Sequence, residues 1–148
     1  LIFKICAVQL FAAYIHLIAE HFHFHTNIFM KKTLVLGAST NTARYSYIAT
    51  QRLNNYGHEV VPVGIRDGAI EGIDIQQGTP DVEGVDTITL YLNPQRQEMY
   101  YDYILGLKPK RIIFNPGTEN PTLMRLTREQ GIETEAACTL VMLSTGQY

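Results

Sequence analysis

Between Gly37 and Arg44 the chain reads Gly-Ala-Ser-Thr-Asn-Thr-Ala-Arg, a run of small and hydroxylated residues closed by a guanidinium. Such residues suit the holding of an anion. Gly37 permits a tight turn. Ser39, Thr40 and Asn41 offer backbone N–H groups and polar side chains, and a helix that follows adds the positive end of its dipole. Arg44, a few residues into the helix that the pattern predicts, can reach the same anion through charge-assisted bonds. A plainer role fits as well: Ser39 to Asn41 cap a helix, and Arg44 is a solvated surface cation. The turn taken alone does not choose between them.

Such a turn works only if a strand delivers the chain to it and a helix carries the chain away. Residues 33–37 form a short, mostly apolar run, as in a strand buried on both faces of a parallel sheet. Residues 42–56 carry apolar groups at helical spacing and stop at Gly57, and residues 58–63 form a second strand. The result is a β-turn-α-β unit about 30 residues long. A glycine-rich, acidic loop follows, with one short strand expected at residues 73–76. Residues 85–92 read as a strand. Asn93-Pro94 starts a helix, with Asn as N-cap and Pro at the first position, and the helix runs to Leu107. Residues 111–114 are a further strand, 120–130 a helix, 132–135 a last strand and 139–143 a terminal helical turn. Strands alternating with helices predict an α/β, Rossmann-like, doubly wound and mostly parallel sheet with helices on both faces.

In such a sheet ligands lie beyond the carboxyl ends of the strands, where the strand order reverses. The turn has Ser39 and Thr42 where the dinucleotide fingerprint has its second and third glycines, and it lacks the Gly-Lys-Ser/Thr of a phosphate-binding loop. The second strand ends Pro62-Val63-Gly64 with no acid at its tip, where an NAD site uses Asp or Glu for the ribose. Asp67 is a weak substitute, and Arg66 suits a ribose phosphate instead, which coenzyme A carries and NAD lacks.

The net charge of −2 gives no basic footprint for nucleic acid. Cys6 and Cys138 lie far apart and make no Cys-x-x-Cys pattern, so the expected setting is reducing and cytoplasmic. No histidine or strong acid is placed by sequence to activate Cys138, which reads as a small buried hydrophobe. No catalytic residue and no metal site are expected in residues 30–148, and His58 reads as a surface or edge residue. Tyr100 and Tyr103 share one side of their helix, which suits packing or a partner. Residues 1–29 stand apart. They hold Lys4 and Glu20 as their only charges and four histidines, His16, His21, His23 and His25. They read as an N-terminal extension: upstream or artefactual sequence, a weak signal or anchor segment, or three imidazoles on one strand face able to bind zinc or copper. Residues 30–148 read as a single domain with no membrane segment.

Gly37-Ala38-Ser39, then Arg44-Tyr45-Ser46-Tyr47, then residues 57–63 with their Gly-His-Glu-Val-Val-Pro-Val sequence, resemble the small stand-alone CoA-binding domain family. That family is similar to the N-terminal domain of the succinyl-CoA synthetase α subunit. Asn115-Pro116-Gly117-Thr118 and Ala137-Cys138 extend the resemblance over most of residues 31–140. The resemblance implies coenzyme A, or an acyl-CoA, along the strand tips. It places Gly37, Ala38, Ser39 and Arg44 at the pyrophosphate and Val63 and Gly64 on the adenosine side. Leu92, Asn93 and Pro94 would face the same crevice, with Pro116 and Gly117 near the pantetheine arm. Gly64-Ile65 stands where the family often has Asn-Pro. The synthetase's phosphohistidine domain is absent from this sequence. The expected role is therefore a binding or regulatory module. The alternatives are an NAD(P)-linked enzyme or redox sensor, and an interaction subunit of a larger CoA-using enzyme. A homo-oligomer or a partner enzyme subunit is compatible with each.

Overall fold

The computed structural model describes residues 30–148. The readings of residues 1–29 as an extension, an anchor or a histidine metal site fall outside the described residues. In chain order the elements are β1 (Lys32–Leu36), α1 (Tyr45–Asn55), β2 (Glu59–Gly64), β3 (Ala69–Ile70), β4 (Ile73–Asp74), β5 (Gln76–Gln77) and β6 (Thr87–Leu90). Then follow α2 (Pro94–Gln97), a 3₁₀ turn (Glu98–Tyr100), α3 (Tyr101–Leu107), β7 (Arg111–Phe114), α4 (Pro121–Glu129), β8 (Glu133–Ala136) and α5 (Thr139–Thr145).

β1, β2, β6 and β7 are short, mostly buried runs, and such runs stay out of water only in a sheet covered on both sides. The six-stranded sheet has the order β5-β2-β1-β6-β7-β8, and all its pairings are parallel. This is the Rossmann-like doubly wound arrangement. Side chains alternate across it. Leu34, Leu36, Ile88, Leu90, Ile112 and Phe114 pack on one face with Tyr100, Ile104 and Leu123 from the 3₁₀ turn, α3 and α4. Val35 and Val60 pack on the other with Leu53 of α1 and Leu143 of α5. The strand order reverses between β1 and β6, and there such a sheet leaves a crevice at its carboxyl edge. Among the described residues no helix is long and apolar enough to cross a membrane.

Besides the strand expected at residues 85–92, which is shorter at both ends, the structure departs from the expected elements at three places, each for a local reason. The helix expected from residue 42 begins at Tyr45 with Arg44 as its N-cap. The Asn41 side chain accepts from the Ala43 N–H at 3.0 Å and its carbonyl from the Arg44 N–H at 3.0 Å, so residues 41–44 close a turn of their own. The short strand expected at residues 73–76 is split. Ile73–Asp74 pairs antiparallel with β3, Ile75 turns inward to 6% exposure, and Gln76–Gln77 joins the sheet edge beside β2. The long helix expected from Asn93 is interrupted by the 3₁₀ turn. Its first turn is anchored to the strand tips through the fully buried Gln97, while Tyr100 and Ile104 follow the core.

At the amino edge of the sheet, Tyr148 folds back under the strands. Its hydroxyl lies 2.6 Å from Thr33 Oγ1, and its ring sits 4.7 Å from the Arg111 guanidinium and 4.8 Å from the His58 ring. His58, expected as a surface or edge residue, lies half-buried just before β2, and its Nδ1 accepts from the Lys31 backbone N–H at 3.2 Å. Burial, then the Lys31 and Arg111 charges, hold its pKa below the ordinary histidine value, with Asp86 opposing. Folding therefore favours the neutral ring. The unfolded chain takes up the proton first, so the contribution is intact above about pH 6.5 and declines as the pH falls toward the lower folded-state value. Denaturation midpoints measured from about pH 7.5 to 5.5 should fall for the wild type and fall less for His58→Gln. Equal slopes would remove His58 as the source.

Candidate functional site

A cleft of about 810 Å³ opens at the carboxyl edge of the sheet, at the reversal between β1 and β6. That size lies within the range of about 300–1,000 Å³ usual for small-molecule sites. Its walls are the segments leaving β1, β2, β6 and β7. Gly37, Ala38, Ser39, Thr40, Asn41, Arg44, Val63, Gly64, Leu92, Asn93, Pro116 and Gly117, all singled out by the sequence, line this one cleft. Pro94 does not. It is the first residue of α2, behind the capping Asn93 whose Oδ1 accepts from the Arg96 N–H at 3.0 Å.

The first turn is built differently from a simple helix cap. Gly37 holds φ at 103°, and its N–H and that of Ala38 both donate to the Val63 carbonyl at 2.9 Å. Gly37 and Ala38 therefore bind the turn to β2 and line the cleft without offering it their amides. The Asn41 N–H donates to Ser39 Oγ at 3.2 Å. The N–H groups of Ser39 and Thr40, and of Tyr45 and Ser46 in the first turn of α1, donate to no described residue. No side chain caps α1 and no acid lies in its first turn. Its positive end thus faces the cleft uncompensated.

Three guanidinium side chains, those of Arg44, Arg66 and Arg96, line the cleft, and among the described residues no Asp, Glu, His or Cys does. Arg96 was not picked out by the sequence reading, although a signal was there. It is the third residue of a helix whose N-cap and proline are plain in the sequence, and a cation there opposes the helix dipole unless an anion is bound. Asp67, the weak candidate for an NAD ribose, is not part of the lining.

Two buried amides fix the walls. The Gln97 Nε2 donates to the Leu92 carbonyl at 2.8 Å and to the Thr118 carbonyl at 2.7 Å, and its Oε1 accepts from Asn120 at 3.0 Å. Leu92 and Thr118 both line the cleft, so this side chain sets their spacing. Asn115 donates to Thr89 Oγ1 at 2.7 Å and to the Leu90 carbonyl at 3.0 Å, and accepts from the Thr139 N–H at 2.9 Å. Nearby, the Tyr91 hydroxyl is buried close to Thr139 and Thr89 without hydrogen-bond geometry to either. Burial pushes its pKa far above the usual tyrosine range, so it remains protonated. Cys138 is a partly buried free thiol that precedes α5 and lies outside the cleft lining. Among the described residues no cluster of His, Cys, Asp or Glu is placed to hold a metal ion.

Residues 31–144 match the model of the CoA binding domain. The chain belongs to the CoA-binding domain family. Solved structures share the fold. An uncharacterized protein known from a crystal structure is 56% identical, with a TM-score of 0.79 over 80% of this chain and 98% of that one. A conserved hypothetical protein from Pyrococcus furiosus is 30% identical, with a TM-score of 0.66 over 76% of this chain and 98% of that one. A protein from Thermus thermophilus shares the fold at 20% identity, with a TM-score of 0.73 over 87% and 98%. None of the curated proteins matches. In this CoA-binding domain protein the cleft lies within the residues that the family model spans.

Proposed function

We propose that the protein binds coenzyme A or an acyl-CoA in this cleft and acts as a binding or regulatory module, without chemistry of its own, in the reducing cytoplasm. The observation that carries the reading is the electrostatic make-up of the cleft: three guanidiniums and an open helix N-terminus, with no carboxylate among the described residues. Coenzyme A offers two kinds of anion, a diphosphate and a phosphate on the ribose. The amides of Ser39, Thr40, Tyr45 and Ser46 together with Arg44 suit the diphosphate. Arg66, just beyond the tip of β2, suits the ribose phosphate, at the place where an NAD site carries an acid. Arg96 closes the positive ring from the β6 side. A homo-oligomer or a partner enzyme subunit is compatible with this role, since a module that only binds must pass its ligand state to something else.

Thermal melts with coenzyme A, dephospho-coenzyme A and NAD test the reading. Ligand at about 100 times Kd stabilises by about 2.7 kcal/mol, a shift of several degrees. The shift should be largest with coenzyme A. Arg66→Ala should erase the difference between coenzyme A and its dephospho form. Arg44→Ala should weaken both, by about 1.5–3 kcal/mol for a charged hydrogen bond. A shift with NAD and none with coenzyme A would overturn the proposal.

A further inference from the structure

At the edge of the sheet opposite the cleft, one side chain holds the segment that follows α5. Gly146 leaves the helix with φ at 70°, and Gly146 and Gln147 are exposed. Tyr148 then turns back under the first residues of β1 and β7. Its hydroxyl shares a hydrogen bond with Thr33 at 2.6 Å. Its ring lies 4.7 Å from the Arg111 guanidinium, 5.2 Å from the Lys31 ammonium and 4.8 Å from the His58 ring. The negative face of a phenol ring suits the two cations.

His58 fits this place only as a neutral ring. Its Nδ1 accepts from the Lys31 backbone N–H at 3.2 Å, and a protonated imidazole has no acceptor nitrogen left. The surrounding charges oppose a positive ring as well. Lys31 and Arg111 stand beside it. The nearby carboxylates are already engaged: Asp86 with Lys110 at 2.7 Å, Glu135 with Arg111 at 3.3 Å and Glu59 with Lys32 at 3.0 Å. Burial works against the Asp86 charge, but hydrogen bonds from Lys110 and Thr87 outweigh it, so this carboxylate stays ionised. The docked arrangement also leaves Arg111 Nη2 buried with no partner among the described residues, a group that opening would hydrate.

We propose that His58 and Tyr148 form a proton-operated latch. Neutral His58 keeps Tyr148 docked under the sheet, and protonated His58 releases it together with Gly146 and Gln147. Falling pH therefore opens the latch and bares a cationic patch around Lys31 and Arg111. The change is local, because α5 is anchored at its other end. The Thr139 N–H donates to Asn115 at 2.9 Å, its hydroxyl lies 2.7 Å from Thr89 Oγ1, and Met142 and Leu143 are buried. The latch depends on no reading of the cleft.

Solution NMR of the full chain with ring-labelled tyrosine and histidine, from about pH 7.5 to 5, tests it. Tyr148→Phe and His58→Gln assign the two rings. In the wild type the Tyr148 signals should leave their docked positions as His58 takes up its proton, below about pH 6.5, and reach those of an exposed tyrosine. In His58→Gln they should stay fixed. Coupling is reciprocal, so His58 should titrate at higher pH in Tyr148→Ala than in the wild type. Tyr91 and Tyr100, which pack against the core or belong to it, should hold throughout. A Tyr148 ring that stays docked while His58 titrates would overturn the latch, as would a His58 that never titrates in this range. Release that proceeds equally in His58→Gln would overturn it by passing the trigger to Asp86 or Glu135. Movement of Tyr91 and Tyr100 together with Tyr148 would do so by making the change an unfolding of the whole domain.

Discussion

Gly64→Ala is expected to destabilise the protein by about 3 kcal/mol and to lower its melting temperature by roughly 10 °C. Gly64 is the last residue of β2, paired with Gln77 of β5. A Cβ there would fall inside contact distance of the Ala38 carbonyl oxygen and 3.1 Å from the Ile75 side chain. Overpacking costs about 1–3 kcal/mol where side chains can shift. Here the obstacle is backbone, and that backbone is fastened to the same strand by the Gly37 and Ala38 amides on the Val63 carbonyl. Relief therefore requires moving the turn between β1 and α1 itself, so under the proposed function ligand affinity should drop along with stability. Gly106→Ala is the matched control. Gly106 lies in α3 with no neighbour within 4 Å of an added Cβ, so alanine there should stabilise by about 0.5–1 kcal/mol. Differential scanning calorimetry with and without coenzyme A reads both effects. A Gly64→Ala protein that melts and binds like the wild type would show that the turn and β2 are not wedged together.

The second large effect is expected at Asn115. This buried side chain ties β6, β7 and the start of α5 through its bonds to Thr89, Leu90 and Thr139. Asn115→Ala removes all of them at once and strands the Leu90 carbonyl and the Thr139 N–H away from water. Each buried group left without a partner costs about 1–3 kcal/mol, which places the total at about 3 kcal/mol or more. Asn115→Asp keeps an acceptor for Thr139 but aims a carboxylate at the Leu90 carbonyl, so it should rescue little. Urea denaturation measures both variants. A loss below about 1 kcal/mol for Asn115→Ala would mean that water readily replaces the amide.

Much of this architecture is legible in the sequence because parallel strands leave an unambiguous trace. Residues 111–114 have no polar residue after Arg111, and Gly57 and Gly131 mark where the helices before β2 and β8 must stop. The strand tips then follow, and with them the neighbourhood of Gly37, Leu92 and Gly117. Individual donors are not legible. Nothing in Gly37-Ala38 reveals that both amides are spent on Val63, since that depends on how closely β2 passes. The start of α1 at Tyr45 is not legible either, because the Asn41 side chain competes for the backbone N–H groups that a helix from residue 42 would use. The switch of partner at Ile75 is likewise invisible to a period-two pattern only a few residues long. Tyr148 reaches His58 and Arg111 from the far end of the chain, a contact that local periodicity cannot register.

Arg44, Arg66 and Arg96 line one cleft, and among the described residues no acidic side chain joins them there. Like charges converging on one crevice repel, and a polyanion that enters removes that repulsion as it binds. Part of its binding free energy would then come from removing that repulsion. Under the proposed function the loaded chain would be the longer-lived form, since a ligand that binds the native state and not the unfolded one withholds the chain from proteases. In a cell, the abundance of such a protein would track the supply of its ligand without any dedicated sensor.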